Sequence, residues 1–266
     1  MEQTQIGELR IAYERAGQGP PLLLLQGFVG DGPATWQRQI DQLRDEFMVI
    51  AWDAPGAGRS SDPPEWFRMA DYADCLAGFV AELGLGRVHV AGLSFGGALA
   101  LELYRRHPSI PLTLVLAGAY AGWAGSLPRD VVDQRLKQCL QAADLDGDQF
   151  AAVMVPTMFS DSAPAGPVAE FAAAVSEFHP AGFRTMARSS AEADLRDVLP
   201  RIDVPTLLLF GDADVRAPLS VAEDLHAVIS GSRLVVLRGV GHVSSVEAAE
   251  RFSAELRGFL HEPGRV

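Results

Sequence analysis

The residue most suited to nucleophilic chemistry in this sequence is Ser94, in the segment GLSFG at residues 92–96. A short apolar run ends at Leu93, and a helical pattern begins directly after the serine. Glycines on both sides let the backbone turn sharply, so that the hydroxyl group stands at the tip of a strand-to-helix turn. The first N–H groups of the following helix can stabilise an anion there. A serine that only caps a helix in a glycine-rich turn is the alternative interpretation.

A base and a carboxylate are needed to activate such a serine, because a hydroxyl group is a poor nucleophile at neutral pH. His242, in GVGHVSSVE, comes directly after a predicted strand and is the favoured base among the histidines. Asp212 and Asp214, in GDADVRAP, follow another predicted strand. Asp212 adjoins the turn glycine and could be only a turn residue, so Asp214 is the favoured acid. The predicted chemistry is nucleophilic attack on a carbonyl group.

The elements that position these residues alternate between strands and helices. Buried apolar runs predict strands at residues 22–28, 47–53, 87–93, 112–118, 204–212 and 233–239, with a weaker edge strand at 8–13. Helical patterns cover residues 34–45, 68–83, 95–106, 219–229 and 245–260. This alternation indicates an α/β fold with a mostly parallel central sheet flanked by helices. Ligands of such sheets bind beyond the carboxyl ends of the strands, where the three candidate residues lie.

A long interruption of this alternation occupies residues 120–200. They show helical patterns and no convincing buried strand, so they predict a helical lid inserted into a core of residues 1–119 and 201–266. The lid is rich in aromatic residues and in methionine, which adapts to varied ligand shapes. Most of these side chains could equally pack the lid onto the core. The predicted substrate-binding residues, from the lid and from the loops beneath it, are Gly27, Trp123, Met158, Phe159, Met186, Val215 and Val243.

The composition excludes several classes of function. The chain of 266 residues has a formal net charge of −12 and no basic run, so it would repel nucleic acid or an anionic membrane. Its two cysteines form no C-x-x-C pattern, which argues against a disulfide framework and a thiolate metal site. The sequence shows neither a membrane-spanning apolar run nor a secretory signal. We therefore expect a soluble, cytoplasmic monomer or homodimer that acts on a small molecule.

Together these segments resemble the motifs of the α/β-hydrolase family. GLSFGG resembles its nucleophile elbow, GDADVRAP its G-x-x-D-x-x-x-P acid loop and GVGHVSSVE its G-x-G-H-x-x-x-x-E segment. DAPGAGRSSDP, at residues 53–63, resembles the D-x-x-G-x-G-x-S loop after the family's fourth strand. The order Ser94, Asp214, His242 is the family's order. The resemblance implies the α/β-hydrolase fold, with a helical lid after the sixth strand.

The resemblance also implies where an oxyanion would bind. The expected donors are the backbone N–H groups of Phe28 and Phe95, and one such donor contributes on the order of 3 kcal/mol to transition-state binding. The loop after the third strand reads Gln26-Gly27, where the family usually has His-Gly. Backbone donors survive a change of side chain, so we expect the oxyanion hole to remain while the fine position of the loop differs.

The sequence therefore predicts a serine hydrolase that cleaves a carboxylic ester or lactone of a small-to-medium apolar substrate through an acyl-enzyme. No metal or organic cofactor is expected. Compatible alternatives are acyl-homoserine or enol-lactone lactonases, C–C bond hydrolases, perhydrolases, a lyase, and a ligand receptor with slow turnover on the same fold. Arg184 and Arg188 in the lid could bind a substrate carboxylate, although surface arginines are common.

Overall fold

The centre of the structure, a computed structural model that describes residues 1–262, is an eight-stranded sheet. Its strands are β1 (Glu2–Ile6), β2 (Leu9–Ala16), β3 (Pro21–Leu25), β4 (Met48–Trp52), β5 (Val88–Leu93), β6 (Pro111–Ala117), β7 (Thr206–Gly211) and β8 (Arg233–Leu237). They lie in the order β1-β2-β4-β3-β5-β6-β7-β8. The first two strands pair antiparallel, β2 is antiparallel to β4, and the others pair in parallel. The predicted mostly parallel sheet is confirmed.

The buried middle of the sheet follows from the apolar runs in the sequence. β5 and β7 are buried along their whole length, and β3 and β6 along most of theirs. Such strands are covered on both faces, which is why they read as continuous apolar stretches. β1 instead alternates half-buried and exposed residues at the edge of the sheet. Its polar sequence EQTQI gave no strand signal, so this strand was missing from the prediction.

Helices cover both faces of the sheet. The helices that surround the sheet are α1 (Gly32–Leu43), α2 (Met69–Glu82), α3 (Phe95–Arg106), α9 (Leu219–Val228), α10 (Ser244–Glu247) and α11 (Ala249–Leu260). α1 packs against α10 and α11 on one face, and α2 packs against α3 on the other. No helix within residues 1–262 has both the length and the apolar character needed to cross a membrane.

The regular elements between β6 and β7 are all helices. It contains α4 (Trp123–Ser126), α5 (Arg129–Ala142), α6 (Gly147–Met154), α7 (Ala165–Ser176) and α8 (Pro180–Glu192). Two close contacts hold it against loops of the sheet. A Cβ on Gly182 would lie 2.3 Å from the Cα of Gly56, and the N–H of Val243 donates to the carbonyl of Met158 at 3.0 Å. We refer to residues 118–205 as the inserted helical segment.

Most predicted elements are observed with ends shifted by a few residues, and two of the differences have a clear structural cause. The strand predicted for 22–28 ends at Leu25, because the chain leaves the sheet there to pass the start of α3. A Cβ on Gly96 would lie 2.2 Å from the carbonyl oxygen of Leu25, so the two backbones are in direct contact. The helix predicted for 245–260 is divided at Ala248, whose φ of −129° and ψ of 48° are not helical.

Candidate active site

The backbone at Ser94 is in a conformation that side chains rarely adopt. Its φ is 54° and its ψ is −110°, and it is the one non-glycine residue with a positive φ among residues 1–262. The turn between β5 and α3 is too tight for side chains on its flanks. A Cβ on Gly92 would lie 2.2 Å from the carbonyl oxygen of Gly96. The glycines are therefore required by the contact, and the strain at Ser94 is maintained by the packing around it.

Ser94 lies at the carboxyl edge of the sheet between two neighbouring strand ends. Its N–H donates to the carbonyl of Ala117, the last residue of β6, at 2.8 Å. On the other side, a Cβ on Gly27 would lie 3.7 Å from the Cβ of Ser94. The residue is buried, with 5% of its surface exposed. Its hydroxyl group is thus held in a largely dry environment, where electrostatic interactions are stronger than in water.

His242 and Asp214 form a buried pair at the same edge. Nδ1 of His242 lies 2.7 Å from Oδ2 of Asp214. The other carboxylate oxygen, Oδ1, accepts the N–H groups of Arg216 at 2.8 Å and Ala217 at 2.9 Å. These contacts fix the direction of the carboxylate. Because Asp214 engages Nδ1, Nε2 is the ring nitrogen of His242 that remains for a reacting group.

Gly118 brings this pair next to the strand end that holds Ser94. It follows β6 directly and has a φ of 49°. A Cβ on Gly118 would lie 3.1 Å from Nδ1 of His242 and 3.3 Å from Oδ2 of Asp214. The pair therefore lies against the backbone one residue beyond Ala117, to which the amide of Ser94 is bonded. The three residues singled out in the sequence converge at the end of one strand.

Asp212 takes a different part in the same loop. It is exposed, and its Oδ1 accepts the N–H of Gly239 at 2.6 Å. Its carboxylate therefore stabilises the turn after β8. Of the two carboxylates that the sequence left open, the structure pairs Asp214 with the histidine.

The backbone N–H groups of Phe28 and Phe95 are available to a ligand. Neither donates a hydrogen bond to another residue within 1–262. The buried side chain of Gln26 connects the loop after β3 with the end of β4 and the loop that follows it. With the amide group turned so that both of its polar atoms are paired, its nitrogen donates to the carbonyl of Trp52 at 2.6 Å and its oxygen accepts the N–H of Ala54 at 3.1 Å. A glutamine thus ties the loop after β3 to the loop after β4 where a histidine is usual in the family.

Asp53 organises the loop that follows β4. Its two carboxylate oxygens accept the N–H groups of Gly32 and Arg59, each at 2.9 Å. The pKa of Asp53 is raised to about 6, chiefly by burial and also by the nearby carboxylate of Asp31, against the lowering effect of these N–H groups. Asp53 therefore holds the start of α1 and the glycine-rich loop together beneath the site.

Glu247 connects the histidine loop with the inserted helical segment. Its Oε2 accepts the N–H groups of Gly241 at 3.0 Å and Ser160 at 3.1 Å, and its Oε1 accepts the Ser160 hydroxyl group. Gly241 precedes His242, so one carboxylate fixes both the histidine loop and the segment above it. Glu247 belongs to the G-x-G-H-x-x-x-x-E pattern, but its role was not predicted from the sequence.

The predicted substrate-binding residues occupy different environments. Trp123, Met158, Met186 and Val243 are buried and Phe159 is half-buried, whereas 76% of Val215 is exposed. The ring of Trp123 meets the ring of Phe28 edge-on at 5.8 Å between centroids. Met186 and Phe28 line a cavity of 370 Å³ to which α7 and α8 contribute side chains. Val215 lines the rim of a second cavity, of 600 Å³, together with Arg216.

Arg216 is a residue near the site that sequence reasoning missed. Its guanidinium carbon lies 5.6 Å from the centroid of the Phe28 ring, and its backbone N–H binds Asp214. The sequence did contain a signal for it. Arg216 is only two residues after Asp214, so its Cα must lie close to the site. Residues 1–262 contain no cluster of three or more histidine, cysteine, aspartate or glutamate side chains that could hold a metal ion.

Comparison with known proteins identifies the family. Residues 20–156, just over half of the chain, match the model of the alpha/beta hydrolase fold family. The chain therefore belongs to the alpha/beta hydrolase fold family. The family resemblance drawn from the sequence motifs is confirmed.

Individual relatives are distant but cover nearly the whole chain. A thermophilic esterase from Thermogutta terrifontis, solved with malate bound, is 29% identical, with a TM-score of 0.90 and 98% of each chain covered. The pimeloyl-(acyl-carrier protein) methyl ester esterase of Vibrio vulnificus is 26% identical over 93% of this chain and 96% of its own length. The pyrrolizixenacetamide deacetylase of Xenorhabdus hominickii is 26% identical over 98% of each.

Proposed function

We propose that this protein is a serine hydrolase of carboxylic esters or lactones that acts through an acyl-enzyme. The observation that carries the proposal is the buried His242–Asp214 pair at 2.7 Å, which adjoins the strand end to which Ser94 is bonded. A nucleophile, a base and an orienting carboxylate in this relation are the parts needed for acyl transfer. The esterases and the deacetylase among the relatives support the same reaction class.

In the proposed first half-reaction, Ser94 attacks the carbonyl carbon of the substrate. Nε2 of His242 takes the proton from the hydroxyl group as the new C–O bond forms, and His242 then protonates the leaving alcohol oxygen. The product of this half-reaction is an ester between Ser94 and the acyl group. In the second half, His242 removes a proton from water, which attacks the acyl-enzyme and releases the acid.

Asp214 and the backbone donors stabilise the charges that develop in this cycle. Asp214 holds the imidazole in one tautomer and stabilises the imidazolium that forms when His242 accepts a proton. The free N–H groups of Phe28 and Phe95 would bind the oxyanion, at on the order of 3 kcal/mol for each donor. Because these N–H groups belong to the backbone, Gln26 in place of histidine does not remove them.

The surroundings of Phe28 favour a small-to-medium acyl group. The Phe28 ring stacks on Phe183 at 5.3 Å between centroids and meets Trp123 edge-on, so the surroundings of Phe28 are aromatic. Both rings come from the inserted helical segment, which therefore shapes the substrate pocket in this proposal. Aromatic and aliphatic walls bind the apolar part of an ester without specific polar contacts.

The test is turnover on two substrate series, with and without the nucleophile. 4-Nitrophenyl esters from acetate to decanoate and acyl-homoserine lactones of matched chain length are given to wild type and to Ser94→Ala. Wild type should turn over many times, and Ser94→Ala should lose more than about 10⁴-fold in kcat. Ser220→Ala, an exposed serine in α9, is the matched control and should keep wild-type activity.

At most one slow turnover of wild type on both series would overturn the proposal. Activity that survives in Ser94→Ala would show that another group is the nucleophile. Equal loss in Ser94→Ala and Ser220→Ala would point to damage of the fold, which far-UV circular dichroism and the melting temperature Tm would detect.

A further inference from the structure

A pair of arginines stands beside the proposed catalytic acid. Arg216 follows Asp214 by two residues, and its guanidinium group lies over the Phe28 ring with 5.6 Å between the guanidinium carbon and the ring centroid. Its Nη1 donates to the hydroxyl oxygen of Thr157 at 3.0 Å. Stacking on one face leaves the in-plane N–H groups of a guanidinium free to bind a ligand. Arg216 thus places a positive charge next to the residue whose amide is a proposed oxyanion donor.

The second arginine reaches the same place from the inserted helical segment. Arg135, in α5, donates from Nη2 to the carbonyl of Arg216 at 3.2 Å and from Nη1 to the Tyr120 hydroxyl group at 2.9 Å. Its guanidinium carbon lies 5.3 Å from the Trp123 ring centroid. An aromatic ring and a side-chain hydroxyl group therefore hold each guanidinium group in position, and Arg135 is also bonded to the backbone of Arg216.

Neither guanidinium group has a carboxylate partner within residues 1–262. The Asp214 carboxylate is near, but its oxygens bind His242 and the N–H groups of the acid loop. Burial and the adjacent charge of Arg135 lower the pKa of the Arg216 guanidinium. By contrast, Arg184 pairs with Asp144. Two like charges without a partner are costly in a protein, and here they occur in a chain whose formal net charge is −12.

Both arginines line a cavity large enough for a small organic acid. Its volume is 600 Å³, and Arg216 connects it to Phe28. Ser94 and His242 are not among its lining residues. The remaining walls are mostly aliphatic, with two glutamines, and include Ala142, Leu145, Val153, Met154 and Val215.

We infer that Arg216 and Arg135 form a carboxylate-binding subsite and that the substrate is an ester or lactone carrying a free carboxylate group. This inference rests on the proposed function. The planar carboxylate fits the fork of a guanidinium group, which binds it through two parallel N–H···O bonds. The aliphatic walls accept the chain that joins the carboxylate to the reacting carbonyl. Half-esters of aliphatic dicarboxylic acids have this chemistry.

The experiment compares charged substrates with neutral substrates of the same shape. Mono-4-nitrophenyl adipate and 4-nitrophenyl hexanoate differ by the carboxylate on the acyl side. 4-Carboxyphenyl hexanoate and its methyl ester differ by the carboxylate on the alcohol side. The ratio of kcat/KM within each pair is measured for wild type and variants, so that a general loss of activity cancels. The pair with the larger ratio shows which side of the scissile bond carries the charge.

We expect wild type to prefer the charged member of one pair. Arg216→Met and Arg135→Met should each lower that ratio roughly 10- to 100-fold, because each removes a charged hydrogen-bond donor to the carboxylate. Arg216→Lys should restore part of it, since the positive charge is retained. Arg129→Met, in the same helix as Arg135 but with a side chain 95% exposed, makes the same change in net charge and should leave the ratio unchanged.

A second readout does not depend on turnover. Adipate should raise the Tm of the Ser94→Ala variant, and this rise should disappear when Arg216→Met or Arg135→Met is added and persist with Arg129→Met. Equal kcat/KM for charged and neutral esters, with no adipate-induced shift, would overturn the subsite and leave the proposed hydrolase intact. A shift that depends on both arginines in a protein that cleaves none of the esters would keep the subsite and overturn the hydrolase.

Discussion

Nδ1 of His242 lies 2.7 Å from Oδ2 of Asp214, and both atoms face the backbone of Gly118 at the end of β6. The contact disfavours a side chain at position 118, because a Cβ there would lie 3.1 Å from the imidazole nitrogen and the φ is 49°. Both side chains are buried. The orientation of the imidazole is therefore determined by one carboxylate and one glycine.

The two aspartates of the acid loop should differ sharply in their effect on turnover. Asp214→Asn should lower kcat about 10³- to 10⁴-fold, because an amide facing Nδ1 favours the wrong tautomer of His242. Asp212→Asn should change kcat by no more than a few-fold, since Asp212 only accepts the N–H of Gly239. Steady-state kinetics on the best ester of the 4-nitrophenyl series gives both values. Comparable losses in the two variants would contradict the assignment of Asp214 as the orienting acid.

The strained backbone at Ser94 should make glycine more stable than alanine there. Alanine keeps the unfavourable φ of 54°, whereas glycine adopts it readily, so Ser94→Gly should exceed Ser94→Ala in free energy of unfolding by about 1 kcal/mol. Urea unfolding measures the difference.

At the matched control position, Ser220, the order of stability of the glycine and alanine variants should be the opposite. In the first turn of α9, Ser220→Gly should be less stable than Ser220→Ala by up to about 1 kcal/mol, because glycine is unfavourable in a helix. If glycine is the less stable substitution at both positions, Ser94 is not strained.

The Gln26 bridge should contribute to both stability and activity. Gln26→Leu leaves the carbonyl of Trp52 and the N–H of Ala54 buried without a partner, which should cost roughly 2–4 kcal/mol of unfolding free energy. The Phe28 amide should shift with its loop, so kcat/KM should fall as well. Gln134→Leu, on the exposed face of α5, should change the unfolding free energy by less than about 0.5 kcal/mol. A Gln26→Leu protein as stable as Gln134→Leu would contradict the bridge.

Asp53 should give the stability a distinct dependence on pH. Burial raises its pKa from 3.8 to about 6, so the folded state binds the proton more tightly than the unfolded state does. This contribution to stability is fully present below the unfolded pKa and is lost as the pH rises through about 6. Above that pH, the penalty approaches roughly 3 kcal/mol, at about 1.4 kcal/mol for each pKa unit.

The comparison of wild type with Asp53→Asn isolates this titration. Because the asparagine stays neutral, the unfolding free energy of Asp53→Asn relative to that of wild type should increase by roughly 3 kcal/mol between about pH 4 and pH 7. Urea unfolding at several pH values measures the difference, in which the titrations of other carboxyl groups cancel. Parallel pH profiles for the two proteins would mean that the Asp53 pKa is not raised.

Much of the sheet could be predicted because its strands are buried on both faces. Runs such as LLLL in β3 and TLLLF in β7 leave few alternatives to a parallel sheet. β1 was missed because its polar residues carry no apolar signal at an exposed edge. The carboxyl end of β3 was predicted three residues too far along the chain. Residues 26–28 leave the sheet because the start of α3 lies against Leu25, which the local sequence does not show.

The candidate site could be predicted only as far as its local motifs reach. Ser94 and His242 lie at strand ends that the pattern locates, and the loop motif favours Asp214 over Asp212. The two aspartates are two positions apart in the loop, and the structure pairs the favoured one, Asp214, with His242. Arg216 and Arg135 are 81 residues apart in the sequence, so no local pattern joins them.

The sequence by itself determined the family, the parallel sheet and the short list of candidate reacting side chains, because each depends on periodicity or on neighbours within a few residues. The tertiary structure decided the bond from Ser94 to the end of β6, the pairing of His242 with the favoured Asp214, the Gln26 bridge and the arginine pair beside Asp214. Each of these is a contact between segments that are distant along the chain. Their distances are set by the packing of the whole domain, which no short stretch of sequence records.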